Sequence, residues 1–386
     1  MIRRILLLHF GVSGVGVLSG QAPPTARSAQ SVQASVSADV GWERNVQMKE
    51  TDIVGDFVQH ARVDISASTK RPRGEFSVLA SGEGAAYQTT PSLNRTTYDV
   101  GARARRTMSR RLDGGVFASY RTLASTEFGA PAQTIGASPG APVNQSFITL
   151  LPLSLARSVT ASADVNTKLS SAMSGTARVD FVSVDFSSAS LHPGRTTTAT
   201  GTLNRRRSAH SSLLATARLQ SGITQGVETT TESMAVGFDA TKRLGGISVL
   251  VGATRIADSL PARVTPSASV NARIGRAHSL FESRYVREVS QAFGLGQTLV
   301  TDEAGAVYHY RTRANEVFVS ASRSWSSDRS TVSPGLTTTY AMLRLQHSLR
   351  SDLSVGTIGF YRSSDGIRRV SGSGIQLVST YRLGTR

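Results

Sequence analysis

Along most of this 386-residue chain, small or apolar residues alternate with polar ones, a two-residue period that sends successive side chains to opposite faces of an extended strand. In SVQASVSADVGWE, Val32, Ala34, Val36, Ala38, Val40 and Trp42 share one face, while Gln33, Ser35, Ser37 and Asp39 share the other. Ala61, Val63, Ile65 and Ala67 alternate before the turn Lys70-Arg71-Pro72-Arg73-Gly74, and Phe76, Val78, Ala80, Gly82, Gly84 and Ala86 alternate after it. Tyr98, Val100, Ala102 and Ala104 lead to Ser109-Arg110-Arg111, which is followed by Leu112, Gly114, Val116, Ala118 and Tyr120. Two alternating runs around a short polar break predict a β-hairpin.

Further basic breaks stand at Ala156-Arg157-Ser158, Arg205-Arg206-Arg207, Lys242-Arg243, Gly275-Arg276, Arg311 to Arg313 and Leu349-Arg350-Ser351, which brings the expected turns to eight. Longer polar connectors lie between them, at Asn45 to Asp52, Ala124 to Gln145, Ser221 to Thr230, Gln291 to Asp302 and Ser326 to Gly335. Two strands per turn, an opening strand over 32–44 and a closing one over 368–383 predict about eighteen strands, within a range of 16–20. An even count leaves both chain ends on one side. In 159–206 the alternation is open to three readings, because Val179 to Phe186 fits a strand of its own, an extension above a membrane or part of a folded loop.

The apolar face decides the solvent. Two sheets packed face to face need large Leu, Ile and Phe residues to fill the space between them. Here that face is often Ala, Gly and Val, and the opposite face carries Arg and Asp, which suits a surface that meets lipid and needs no interlocking volume. Lipid offers no hydrogen-bond partner to a bare backbone, so strands cross it only as a closed sheet. The expected fold is therefore all-β, a transmembrane antiparallel up-and-down β-barrel. Trp42 closes an apolar face where an interfacial aromatic belongs, and Val36, Val63, Val78, Val100 and Val116 should point outward near mid-membrane.

Composition supports one such domain: charged residues are only 18%, mean hydropathy is −0.12, and no Pro-rich or charged linker divides the chain. The absence of cysteine removes disulfides and thiolate metal sites, and no apolar run approaches the length of a spanning helix. Arg3 and Arg4 precede an apolar run from Ile5 to Leu18, with Ala26-Arg27-Ser28 as a cleavage signature, so residues 1–28 read as an export signal and 29–386 as the barrel. That places the chain in the outer membrane of a Gram-negative-type cell, with outer-membrane lipid and the barrel-assembly machinery as partners. Such barrels usually finish on an aromatic residue. This chain runs past Tyr381 and Leu383, which share a face with Ile375 and Leu377, to a three-residue overhang.

A net charge of +17 with 39 arginines against 4 lysines would ordinarily suggest nucleic acid, but the export signal and strand rhythm argue against that partner. With parity set by the apolar residues, Arg62, Arg103, Arg105, Arg121, Arg218, Arg273 and Arg344 point into the lumen, together with Asp64, Asp99 and Gln346. Seven arginines beside two aspartates predict a wall that attracts small anions. The alternative is that they fill the lumen in cross-strand ladders that set register. The seven histidines, His9, His60, His192, His210, His278, His309 and His347, show no metal-ligand spacing, and no catalytic motif stands out, so neither cofactor nor metal is expected. The expected function is a passive pore for polar, anionic solutes. An outer-membrane barrel enzyme acting on lipid and a secreted β-rich adhesin are the alternatives.

Residues 32–125 add a resemblance. VSADVGWERNV, the DIVGDFVQHARVDISASTKRPRGEFSVLASGEGAAYQ hairpin and SLNRTTYDVGARARRTMSRRLDGGVFASYR together resemble the beta-barrel porin 2 family of outer-membrane proteins. The resemblance rests on Trp42-Glu43-Arg44-Asn45 and on Tyr87, Asn94 and Tyr98, and it covers about a quarter of the chain. It implies an outer-membrane pore or accessory barrel linked with export of envelope exopolysaccharide.

Overall fold

The computed structural model describes residues 29–47, 49, 51–124, 155–188, 191–224, 226–257, 263–292, 297–327, 336–365 and 369–385. The expected export signal lies outside these residues, as do most of the connectors expected at Ala124 to Gln145 and Ser326 to Gly335. The described residues form β1 (Ala29–Arg44), β2 (Gly55–Arg71), β3 (Gly74–Tyr87), β4 (Arg95–Thr107), β5 (Leu112–Ala124), β6 (Leu155–Lys168), β7 (Met173–Phe186), β8 (Gly194–Arg206) and β9 (Ser211–Thr224). They continue as β10 (Val227–Lys242), β11 (Gly245–Ile256), β12 (Arg263–Arg276), β13 (Ser279–Ala292), β14 (Gln297–Arg311), β15 (Asn315–Ser327), β16 (Leu336–Ser348), β17 (Leu353–Asp365) and β18 (Val370–Thr385). Every strand pairs antiparallel with its sequence neighbours, and β1 also pairs with β18, so the 18-stranded sheet closes without an edge.

Register keeps one face apolar around the barrel. Val36 opposes Val63 on β2 and Tyr381 on β18, and Trp42 opposes Phe57 and Ile375. Val36, Val63, Val100 and Val116 are all exposed, and Val78 shares their face through its pairing with Ala67 and Ala102. The polar face is the inner one: Arg218 on β9 meets Glu288 on β13 at 2.9 Å with three strands between them, a contact that only the interior permits. From Val32 to Trp42 the outward face of β1 is apolar, ten residue steps of ~3.3 Å on a strand tilted by ~40°, hence an apolar band ~25 Å tall. Tyr381 and Leu383 lie on the same outward face as Ile375 and Leu377.

Seven of the eight expected turns fall at or within two residues of a hairpin end. The eighth is corrected: Ala156-Arg157-Ser158 lies in β6, opposite Leu123, Thr122 and Arg121 of β5. The chain turns instead at Leu169 to Ala172, where Leu169 and Ser170 donate backbone N–H groups to the Met173 carbonyl and Ser170 Oγ accepts from the Ala172 N–H. Backbone bonds and the one Ser170 hydroxyl close this turn, and residues 169–172 include no basic side chain. Of the three readings of Val179 to Phe186, the structure takes the first, within β7. The expected connector at Ser221 to Thr230 is likewise a tight hairpin between β9 and β10, with Gly226 in the left-handed region at φ 76°. The connector expected at Gln291 to Asp302 shrinks because β13 and β14 pair from Ala292–Gln297 inward.

The cross-section has a sharp corner. In a flat sheet the two strands on either side of a third lie ~9.6 Å apart, whereas Cα atoms of β10 and β12 come within 8 Å across β11. The inward positions at this fold are Gly237 and Gly252. A Cβ on Gly252 would collide with the Met234 carbonyl oxygen and stand 2.7 Å from Ala235 Cα, and one on Gly237 would collide with the Val249 carbonyl. Bare backbone at these two positions leaves room for the neighbouring carbonyls, and on the far sides of the bend Arg218 of β9 meets Glu288 of β13.

Candidate functional site

The inner wall carries its charges in connected groups. On β17, β18 and β1 to β3 they form one continuous chain at and below the outer mouth. Glu43, almost fully buried, accepts from Gln376 Nε2 at 3.2 Å and faces Arg362 and His60, each at 3.9 Å. His60 Nδ1 lies 3.1 Å from Glu83, whose other oxygen is 3.6 Å from Arg62, and Arg62 in turn holds Asp64 at 2.8 Å. A carboxylate buried as deeply as Glu43 is tolerable only when donors and opposite charges surround it.

A second group lines β4 to β7. Arg121 holds Asp99, and Arg105 holds Asp113 at 2.5 Å. Asn166 donates to both Asp113 and Asp164 at 3.0 Å and accepts from Thr176 at 2.8 Å, and on the same strand as Thr176 Arg178 pairs with Asp180. Farther round, Arg218 bridges to Glu288 and Gln220, Arg273 pairs with Glu282 at 3.4 Å, and Arg344 donates to Gln346. The hydroxyl-rich sector pairs with itself through Ser233–Thr254 at 2.8 Å and Thr202–Thr216 at 3.3 Å.

All seven arginines expected in the lumen thus lie on the inward parity. Arg103, Arg105 and Arg121 come together on β4 and β5, whereas Arg62, Arg218, Arg273 and Arg344 stand apart on β2, β9, β12 and β16. The acids Glu43, Glu83, Asp113, Glu282 and Glu288 share the inner face, and most of the arginines pair with a carboxylate. The wall therefore alternates in sign, and ladder pairing accompanies any field the arginines set. Parity alone could have revealed these acids, since Glu83 follows Phe76 and Val78 at odd spacing. Arg218–Glu288 depends on the corner and leaves no trace in the local sequence.

The outer mouth is narrowed by ordered backbone. The loop after β1 turns inward, and Val46 packs against Val58, Ala85 and Tyr87 with Leu93 beside them. Asn45, in the left-handed region at φ 57°, donates to the Lys49 and Ser371 carbonyls at 2.8 and 2.7 Å and accepts from the Lys49 N–H at 2.9 Å, so one side chain ties the loop to β18. Asn94 accepts from the Tyr87 N–H at 2.7 Å, and Arg95 donates to the Tyr87 hydroxyl at 2.9 Å. Asn45, Tyr87 and Asn94 are also residues that carry the family resemblance, and here they have a physical task.

Asp56 secures the second loop by accepting from the Thr89 and Thr90 N–H groups at 3.0 and 2.8 Å and from the Thr90 hydroxyl at 2.5 Å. Asp56→Ala should free residues 88–94 at a cost of ~1–3 kcal/mol, since it removes the buried carboxylate on which three donors of the loop converge. Limited proteolysis of the folded barrel should then cut there first, with the strands intact. Unchanged cleavage would show that the loop is held by other contacts.

The chain matches no family model and no curated protein. Its fold is similar to that of solved outer-membrane structures at low identity. The outer membrane protein OpdK from Pseudomonas aeruginosa is 11% identical, with 92% of this chain and 99% of that one covered at a TM-score of 0.47. OccK2 (OpdF) from the same organism, solved in complex with glucuronate, is 9% identical over 92% and 98% at 0.48. OccAB4 from Acinetobacter baumannii is 9% identical over 94% and 100% at 0.46.

Proposed function

We propose that this chain is a passive outer-membrane pore for small polar solutes, with a preference for anions. The observation that carries the reading is the exposure of Arg62. It stands on the inner face of β2, in register with Ser37 and Glu83 well inside the barrel, yet its side chain is 47% exposed. A side chain that faces the interior and remains half-exposed faces open space, which supports a lumen that is wet at that depth. Among the described residues no cluster of His, Asp and Glu could hold a metal ion.

Anion preference is expected to be modest, because each carboxylate beside an arginine cancels most of its field beyond a Debye length, ~10 Å at 0.1 M salt. In planar bilayers the purified barrel should conduct and should favour chloride over potassium. Replacing Arg103 and Arg105 together by Gln removes two positive charges and leaves Asp113 uncompensated, so the preference should fall or reverse. A silent bilayer would overturn the pore. Cation preference in the wild type would overturn the anion reading alone.

A further inference from the structure

Among the described residues, one exposed aromatic side chain breaks the parity rule. Phe117 stands on the inner face of β5, in register between Arg103 on β4 and Ser162 on β6, and is 37% exposed. Among the described residues, the other exposed large apolar side chains on strands face lipid, apart from Val227 at the outer end of β10. An aromatic ring held in lumen water forgoes the burial free energy that either the lipid face or a packed interior would provide. A serine, the common choice on this wall, would fill the position without that cost.

Its surroundings form a site. A Cβ on Gly101 would lie 3.5 Å from Phe117 Cε2 and 3.4 Å from Ser119 Cβ, so the ring lies beside bare backbone. Leu79 is in register with Gly101 on the next strand, on the same inner face. Leu79, Gly101 and Phe117 thus make an apolar strip across β3 to β5. Toward the turns it is bordered by Arg103 and Arg105, and toward the mouth by Arg121 with its partner Asp99.

We propose that this strip is a binding subsite for organic anions with a flat apolar body, the body lying on Phe117 beside Leu79 and the anionic group meeting the guanidinium of Arg103. Arene carboxylates are the simplest members of the class. Passage through a pore requires binding strong enough to draw the solute in and weak enough to release it. A ligand the size of benzoate, with one charged contact and one apolar face, should bind with a Kd on the order of millimolar.

The subsite rests on the open lumen proposed above, but its test does not depend on conduction. Benzoate, acetate and benzyl alcohol can be titrated against the purified full-length barrel in detergent by saturation-transfer NMR, and separately as blockers of potassium chloride current in bilayers. Benzoate should bind about tenfold more tightly than acetate, a factor set by the aromatic contact. Phe117→Ser should remove that advantage and leave acetate unchanged. Gly101→Leu, whose side chain would displace the ring that covers Gly101, should do the same, so either variant carries the test if the other fails to close by heat-modifiable gel mobility. Arg103→Gln should weaken both carboxylates and spare benzyl alcohol. Equal binding of benzoate and acetate by the wild type, or a benzoate advantage that survives in a folded Phe117→Ser barrel, would overturn the subsite. Benzoate binding without current would sink the pore reading and leave the subsite standing.

Discussion

Val36→Arg is expected to destabilise the refolded barrel by ~2–4 kcal/mol, whereas the same change one residue earlier, Ser35→Arg, should be nearly neutral. The two sites share a strand, a depth and a new side chain, and they differ only in the face they occupy. Val36 is exposed on the outer face, in register with Val63 and Tyr381, so a guanidinium there would sit in hydrocarbon with no carboxylate in register. Ser35 points inward and lies 3.5 Å from Asp64 through its hydroxyl, so a guanidinium at that position finds water and a carboxylate. Urea titration of refolding into lipid vesicles measures the contrast, and equal tolerance on both faces would show that the register is wrong by one residue.

The outward face is legible in the sequence because each position on it answers to its own solvent. Lipid accepts Val36 or Val63 without regard to what lies across the barrel, so alternation suffices. Turns are legible only where their chemistry is general. Arg-rich breaks mark seven of them because solvated residues collect there, but Ala156-Arg157-Ser158 shows that charge does not make a turn. Leu169 to Ala172 turns through backbone bonds and the Ser170 hydroxyl, and the strand count of eighteen stands because Val179 to Phe186 falls within a full strand of its own. The inner wall is harder to read. Following arginines alone gives a positive lumen, whereas following parity adds Glu43, Glu83, Asp113, Glu282 and Glu288 and gives one of alternating sign. Phe117 is visible to the same rule, as an aromatic that falls on the polar phase of its strand. What no local pattern encodes is the cross-section, because the approach of β9 to β13 is set by the bend between them.

That bend supports the second large prediction. Gly252→Val should prevent closure or cost more than ~3 kcal/mol, because the added Cβ collides with backbone, which cannot rotate out of the way as a side chain would. Relief would require opening the β10–β11–β12 fold, which would draw β9 away from β13 and break Arg218–Glu288 inside the lumen. Gly201→Ala is the control: it stands on the outward face of β8 with nothing within 4 Å of its added Cβ and should be silent. The comparison separates loss of glycine from loss of space. It also separates a bend imposed by the glycines from one imposed by the ion pair, since Arg218→Gln should leave closure intact and only widen the lumen between β9 and β13. Folding is read from heat-modifiable gel mobility and lumen width from single-channel conductance. A Gly252→Val barrel that closes and conducts like the wild type would show that the wall bends elsewhere, and that the inward glycines of β10 and β11 follow the curvature instead of permitting it.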